Sequence, residues 1–306
     1  MNDTNESATG QTTRKSIAAD TGVGAVHLAV TDGDRALTFY RDVVGLTPMD
    51  IEDGTIALGA GGRRLVVLHP EATAPVAPQH TGLYHLALLV PDRRELALVI
   101  NRLAAFRYPQ SPTDHTMTKS DYFWDPDGNG IEVYAESPED GTFEYTSGSF
   151  GARDNAGNLR SGRDPMDLDE LFSHLRPGDR VESPLPETTR MGHVHLHVRD
   201  IEEAVHFYSD LVGFDVMGMM PAIGAAFVSA GGYHHHLGLN TWAGKGVSPP
   251  PLGSSGLRHF TIESPTEGDL GDVVKRLSDA GAAVTESVTG RWVSDPSANR
   301  FLVRVR

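Results

Sequence analysis

The chain repeats itself. Val26-His27-Leu28-Ala29-Val30, then Ala36, then Phe39-Tyr40-Arg41-Asp42-Val43-Val44-Gly45-Leu46 returns without gaps as Val194-His195-Leu196-His197-Val198, Ala204 and Phe207-Tyr208-Ser209-Asp210-Leu211-Val212-Gly213-Phe214, at an offset of 168 (195 − 27). Gly82-Leu83-Tyr84-His85 returns as Gly256-Leu257-Arg258-His259 at 174 (259 − 85), and Asp125-Pro126 as Asp295-Pro296 at 170 (295 − 125). Self-similarity of this kind constrains a fold more than any local pattern, because one structural solution has to serve every copy. Each copy reads as a strand, a helix with Phe-Tyr on its buried face, and a Gly stop. The expectation is four short βαβββ modules in two similar halves, residues 22–137 and 191–306. Phe39-Tyr40 and Phe207-Tyr208 are assigned to helix core, with no chemistry. Residues 138–190, rich in Gly, Ser, Asp and Pro, read as a linker with one short helix, Asp167 to Leu175. A tether of that length lets modules pair in an order other than first with second.

Composition sets the class. The 306 residues hold 39% hydrophobic side chains and suffice for two domains with a sizeable core. The 26 basic and 41 acidic residues leave a formal charge of −15, which repels nucleic acid and anionic lipid. With no cysteine, disulfides, Fe–S clusters and thiol catalysis are excluded. Residues 1–21 read as a disordered polar tail, not a signal peptide. No apolar run approaches membrane-spanning length, so the expected location is the cytoplasm.

Two residues suggest a metal. Glu132 follows the turn Asp125-Pro126-Asp127-Gly128-Asn129-Gly130 at the start of a strand, and His85 lies in another strand upstream. Imidazole and carboxylate without thiolate suit a divalent ion such as Fe(II) or Mn(II). A lone His on an apolar strand is more often a hydrogen-bonded core residue, so the reading depends on a third ligand.

The strand–helix–Phe-Tyr–Gly stretch and the Asp125–Glu132 turn resemble the vicinal-oxygen-chelate superfamily of glyoxalase, bleomycin-resistance and type I extradiol dioxygenase proteins. From Val23 to Arg306 the chain resembles more closely its catechol-2,3-dioxygenase branch, through Gly82-Leu83-Tyr84-His85, Met191-Gly192-His193-Val194-His195-Leu196-His197 and Gly231-Gly232-Tyr233-His234-His235-His236. The resemblance implies an α+β fold of four βαβββ modules forming two open, barrel-like domains. It also implies one His ligand from the first strand of one module, with a second His and a Glu from the first and last strands of its partner. His85 and Glu132 fit the second pair. Leu302 stands at the place of Glu132 in the fourth module, so His259 is expected to be structural. Sequence order favours His27 as the remaining ligand. Residue chemistry favours His195, whose module also carries the His run, and His195 is the expectation adopted. His193 and His197 are then packing or supporting groups. Modules two and three would form the working barrel, and modules one and four a scaffold.

The resemblance further implies that His235 lies beside bound oxygen as an acid–base group. Tyr122 would hydrogen-bond the substrate oxygen, and His115 stands near an additional active-site His. The activity implied is Fe(II)-dependent cleavage of catechol by O₂ next to the diol, giving a 2-hydroxymuconic semialdehyde, in an enzyme expected to be a homo-oligomer. Two alternatives stay open. One is a glyoxalase-type isomerase or transferase, with Leu65 or His236 at a fourth-ligand slot. The other is a metal-free protein that sequesters a planar drug.

Overall fold

The computed structural model describes residues 16–49, 54–146 and 149–306. Each module supplies four strands. They are β1 Gly22–Val30, β2 Thr47–Pro48, β3 Ile56–Ala60 and β4 Arg63–Pro70 in the first, and β5 Gly82–Leu89, β6 Ser111–Asp114, β7 Thr118–Trp124 and β8 Gly130–Glu136 in the second. Between the halves lie β9 Gly141–Thr146, β10 Ser149–Asp154, β11 Leu159–Arg160 and β12 Asp164–Pro165. The third module has β13 Arg190–His197, β14 Asp215–Met220, β15 Ala225–Ser229 and β16 Leu237–Asn240. The fourth has β17 Gly256–Ser264, β18 Thr285–Ser287, β19 Gly290–Ser294 and β20 Arg300–Val305.

The helices are α1 Gly33–Thr38, α2 Arg93–Ala105, α3 Leu168–Phe172, α4 Ile201–Val205 and α5 Glu267–Asp279. The helix of every module begins at an oxygen-bearing cap. Asp32, Asp92, Asp200 and Thr266 accept from the backbone N–H three residues on, at 3.0, 3.0, 3.0 and 3.2 Å, which satisfies an otherwise orphaned donor. The first and third module helices widen into π-type turns, Phe39–Val44 and His206–Val212, and stop at Gly45 and Gly213 in the left-handed region. Phe39, Tyr40, Phe207 and Tyr208 are buried in the core, as expected from their place on the helix face.

Two open sheets result. One runs β18-β19-β20-β17-β1-β4-β3-β2 and unites modules four and one; the other runs β12-β6-β7-β8-β5-β13-β16-β15-β14 and unites modules two and three. The junctions are antiparallel, β1 with β17 and β5 with β13. Inside each module the first strand lies parallel to the last. Modules therefore pair across the halves, as expected from where the His and Glu candidates fall.

Helices and turns tie the modules in the other direction. Tyr40 donates to Asp125 in the turn of module two, and Tyr208 to Asp295 in that of module four, each at 3.1 Å. Arg102 of α2 donates to the carbonyl of Val44 at 2.7 Å and also to those of Val181 and Ser183. Arg276 of α5 does the same for Leu211 and Val212.

The stretch read as a linker carries the three-stranded sheet β9–β11, the strand β12 laid against β6, and α3. That helix is shorter than the expected Asp167–Leu175: Asp167 is its cap, and the chain turns at Ser173 before Pro177. Of the tail expected over 1–21, residues 1–15 lie outside the described residues. Ile17 is buried, with its N–H donating to Gly213 O at 2.8 Å, so the described part is docked and not loose.

Candidate metal centre and its pocket

Three side chains meet on the β8-β5-β13 part of the nine-stranded sheet. His85 Nε2 lies 3.1 Å and His193 Nε2 3.0 Å from Glu132 Oε2, and the two ring nitrogens are 3.3 Å apart. Their exposures are 6%, 2% and 3% for His85, His193 and Glu132. A buried carboxylate costs several kcal/mol unless it is paired. Two imidazole rings and one carboxylate are a natural metal-binding set, and these three form a group whose ligand atoms can surround one ion. Ligands roughly 2.1 Å from an octahedral ion lie about 3.0 Å from their neighbours, close to the separations found here. The donor set therefore fits a divalent cation.

The sequence expectation put His195 in this group; the structure puts His193 there. Strand register supplies the reason. Glu132 lies opposite Ala87 on the parallel neighbour, and the residue two positions earlier is His85. In module three the position of Ala87 belongs to His195, which lies opposite Gly238, so the equivalent of His85 is His193. His193 also pairs directly with Ala87 across the junction, whereas His195 pairs with His85. Glu132, Ala87 and His193 thus form one row across three strands. The signal was present in the chain: counting back from the buried pairs Leu88/Val90 and Leu196/Val198 reaches His85 and His193 at the same step.

His195 has another place. A Cβ on Gly238 would lie 2.7 Å from the His195 ring, so the ring occupies space that only glycine leaves. It packs edge-on against Tyr84 and His85, both at 5.0 Å, and its Nε2 is buried without a hydrogen-bond partner among the described residues. Burial, with His85 and His193 nearby, holds its pKa well below the ordinary range.

The remaining candidates gather around the same cavity of about 380 Å³, inside the range of roughly 300–1,000 Å³ for ligand sites. Tyr122 lies opposite Glu132 on β7, and its hydroxyl is 2.9 Å from His115 Nε2. His115 Nδ1 is 2.5 Å from the Gly162 carbonyl. A carbonyl only accepts, so Nδ1 carries the proton and Nε2 of the neutral ring accepts from Tyr122. His235 packs on His193 at 4.1 Å and on Phe227 at 4.7 Å, with Nδ1 buried and without a hydrogen-bond partner among the described residues. His197 bonds Asn240 at 2.7 Å, a supporting place consistent with expectation.

His236 points elsewhere. Its Nδ1 is 2.9 Å from Ser229 Oγ and accepts from the Ala230 N–H. Leu65 is buried in the core. Neither is positioned to supply a fourth ligand to this group. Missed at the sequence level were the walls: Tyr84, Trp242, Phe227, Ile223 and Arg163.

Burial raises the Glu132 pKa, but the charge attraction and hydrogen bond of His193, then those of His85, outweigh it and hold the carboxyl well below its usual range. Burial lowers His85, against the hydrogen bond its ring donates to Glu132. It lowers His115, and it lowers His235 further, helped by His193 and His234. Burial also raises Tyr122, as does the charge of Glu132. These directions favour a carboxylate, neutral imidazoles and a protonated phenol.

In the eight-stranded sheet the equivalent positions hold Ala25, His259 and Leu302. His259 stacks on His27 at 3.9 Å and His27 Nδ1 meets His69 Nε2 at 3.0 Å. His259 packs there as a structural group, beside a leucine that has no ligand atom.

Fold and site together define a protein of the vicinal-oxygen-chelate type, with a His/His/Glu group in one sheet and, among the described residues, none in its twin. The chain belongs to the glyoxalase/bleomycin resistance protein/dioxygenase superfamily, which it matches over residues 22–133 and 190–301. A catechol-2,3-dioxygenase of Bacillus subtilis (strain 168) is 38% identical over 293 residues, covering 95% of this chain and 99% of that one. Kinship at that level makes this chain an enzyme of the extradiol dioxygenase kind. Among solved structures, a protein of Bacillus subtilis subsp. subtilis str. 168, provisionally described as a dioxygenase, aligns with a TM-score of 0.62 at 15% identity, over 95% of this chain and 85% of that one. Glyoxalase I of Zea mays aligns at 0.54 and 14%, over 93% and 92%. At such identities these two likenesses concern the fold alone. Among the described residues no helix is long and apolar enough to cross a membrane.

Proposed function

We propose that the enzyme cleaves catechol or a substituted catechol with O₂, next to the diol, to a 2-hydroxymuconic semialdehyde, using Fe(II) held by His85, His193 and Glu132. We place this work in the cytoplasm. The observation that carries the reading is the meeting of those three buried ligand atoms, 3.0–3.3 Å apart, at a pocket of catechol-compatible size. Two imidazoles and one carboxylate would hold such an ion while leaving part of its coordination free for substrate. The ion would supply Lewis acidity toward the diol and a redox-active centre for O₂.

The protein's own groups handle protons and position. Tyr122 O–H donates to His115 Nε2, so the phenol oxygen keeps lone pairs to accept from a substrate hydroxyl. The proton of that hydroxyl then has a path through Tyr122 to His115, whose other nitrogen is held by Gly162 O. His235 Nδ1, neutral and without a partner, can take up a proton and return it, the acid–base role suited to imidazole. Trp242, Phe227 and Ile223 line the pocket with apolar surface on which the ring can pack.

The test is anaerobic reconstitution with Fe(II), metal analysis, then catechol and air. His193→Ala should lower iron affinity by on the order of 10² or more, while His195→Ala keeps iron. Iron retained by His193→Ala and lost by His195→Ala would reverse the ligand assignment. No yellow ring-fission product from iron-loaded wild type across a catechol panel would end the functional reading.

A further inference from the structure

The mouth of the pocket presents a guanidinium that no carboxylate among the described residues claims. Arg163 lines the cavity, is exposed, and holds its guanidinium carbon 5.6 Å over the Trp242 ring. Its sequence neighbour Asp164 is engaged by Arg160 at 3.1 Å and by Ser161 at 2.8 Å. Among the described residues Arg163 forms no ion pair. The platform beneath it is fixed: the Trp242 indole N–H donates to Ile223 O at 2.7 Å, and the ring meets Tyr84 edge-on at 5.2 Å. The segment carrying Arg163 is fixed too, through the bond of His115 to Gly162 and the pairing of β12 with β6.

Charge and depth then order the pocket. Among the described residues that line it, Glu132 alone is a carboxylate and Arg163 alone a permanent cation. Glu132 lies at the floor, 3% exposed, and Trp242 at the rim, 39% exposed. A ring whose vicinal oxygens face the floor would turn its far edge toward the exposed lining, where Arg163 and Trp242 lie. An anionic group on that edge would meet a cation in a planar fork that matches a carboxylate.

We propose that Arg163, held over Trp242, is a specificity-determining residue that selects catechols bearing a carboxylate or carboxymethyl group on the ring edge away from the diol. This rests on the dioxygenase reading above, and its failure is separable from that one.

The probes are catechol and 3,4-dihydroxyphenylacetate, used with Fe(II)-loaded wild type, Arg163→Met and Arg163→Lys. Wild type should prefer the carboxymethyl compound. In Arg163→Met the ratio of kcat/KM values for the two substrates should fall roughly tenfold, mainly through KM, and Arg163→Lys should recover part of it. The wild-type preference should shrink with added salt, since the group sits at an exposed rim. Tryptophan-fluorescence titration of the same iron-loaded proteins under nitrogen reads the discrimination as affinity, without turnover. A ratio unmoved by Arg163→Met, or equal losses on both compounds, would overturn the proposal. If wild type cleaves neither compound the dioxygenase reading fails. The anaerobic titration then still decides whether Arg163 selects for negative charge.

Discussion

At the scale of the residue, the site depends on side chains that are missing as much as on those present. Gly238 leaves the volume that the His195 ring fills. Gly192, beside His193, passes so close to Tyr134 that a Cβ would lie 1.9 Å from its hydroxyl, which itself bonds Tyr233 at 2.5 Å. Tyr134 is fully buried and cannot yield cheaply. Gly192→Ala should therefore cost about 1–3 kcal/mol in denaturant unfolding and reduce iron occupancy, because the strand that carries His193 must shift. Gly238→Ala should weaken substrate binding with iron content maintained, since His195 lines the pocket without belonging to the ligand group. Equal iron loss in both variants would contradict this division. His85 and Glu132 were legible in the sequence because a turn and a repeat framed them. His193 was hidden by a second histidine two residues along the same face, and only the register of β13 against β16 separates the two.

At the scale of the element, caps and turns carry the fold with short-range chemistry that a sequence displays. The oxygen-bearing caps and the Gly stops fall in corresponding places in the copies, and the buried Phe-Tyr pairs follow from helical period. The arginine ties were not legible, because their partners are backbone carbonyls, which leave no trace in residue identity. Arg102 is 3% exposed and serves carbonyls of Val44, Val181 and Ser183. Arg102→Met should cost about 2–4 kcal/mol, the sum of several charge-assisted bonds lost and acceptors left buried. Tyr40→Phe removes one bond to Asp125, which keeps those from Asn129 and the Asp127 N–H, and should cost only about 1 kcal/mol. Urea unfolding of the two variants side by side checks the ranking.

At the scale of the whole molecule, the two sheets are built alike and equipped differently. In the scaffold sheet burial, then the neighbouring His259 and His69, pushes His27 down to about 2, and burial pushes His259 down to about 3. A histidine with a depressed folded pKa takes up its proton first in the unfolded chain. The stability it allows is full above the unfolded value near 6.5 and is lost as pH falls toward the folded one. Replacing both by glutamine should remove that component. The stability difference between wild type and the double variant should move against wild type by roughly 2 kcal/mol between pH 7 and 5, allowing for the partial exposure of His27. Parallel profiles would show that these rings do not titrate in this range. The pairing of modules across the halves was legible because only module two carries both His and Glu, and only module three carries the histidine run.

That crossed pairing bears on how the gene can be cut. A polypeptide ending before Arg190 would keep His85 and Glu132 but lack His193 and the partner strand β13, leaving β5 an open edge. Neither fragment could hold the ion by this set alone, yet the two supplied together could knit the sheet. The bound cation would then act as a rivet between separately made pieces, and withdrawing it with a chelator should loosen a split enzyme far sooner than an intact one.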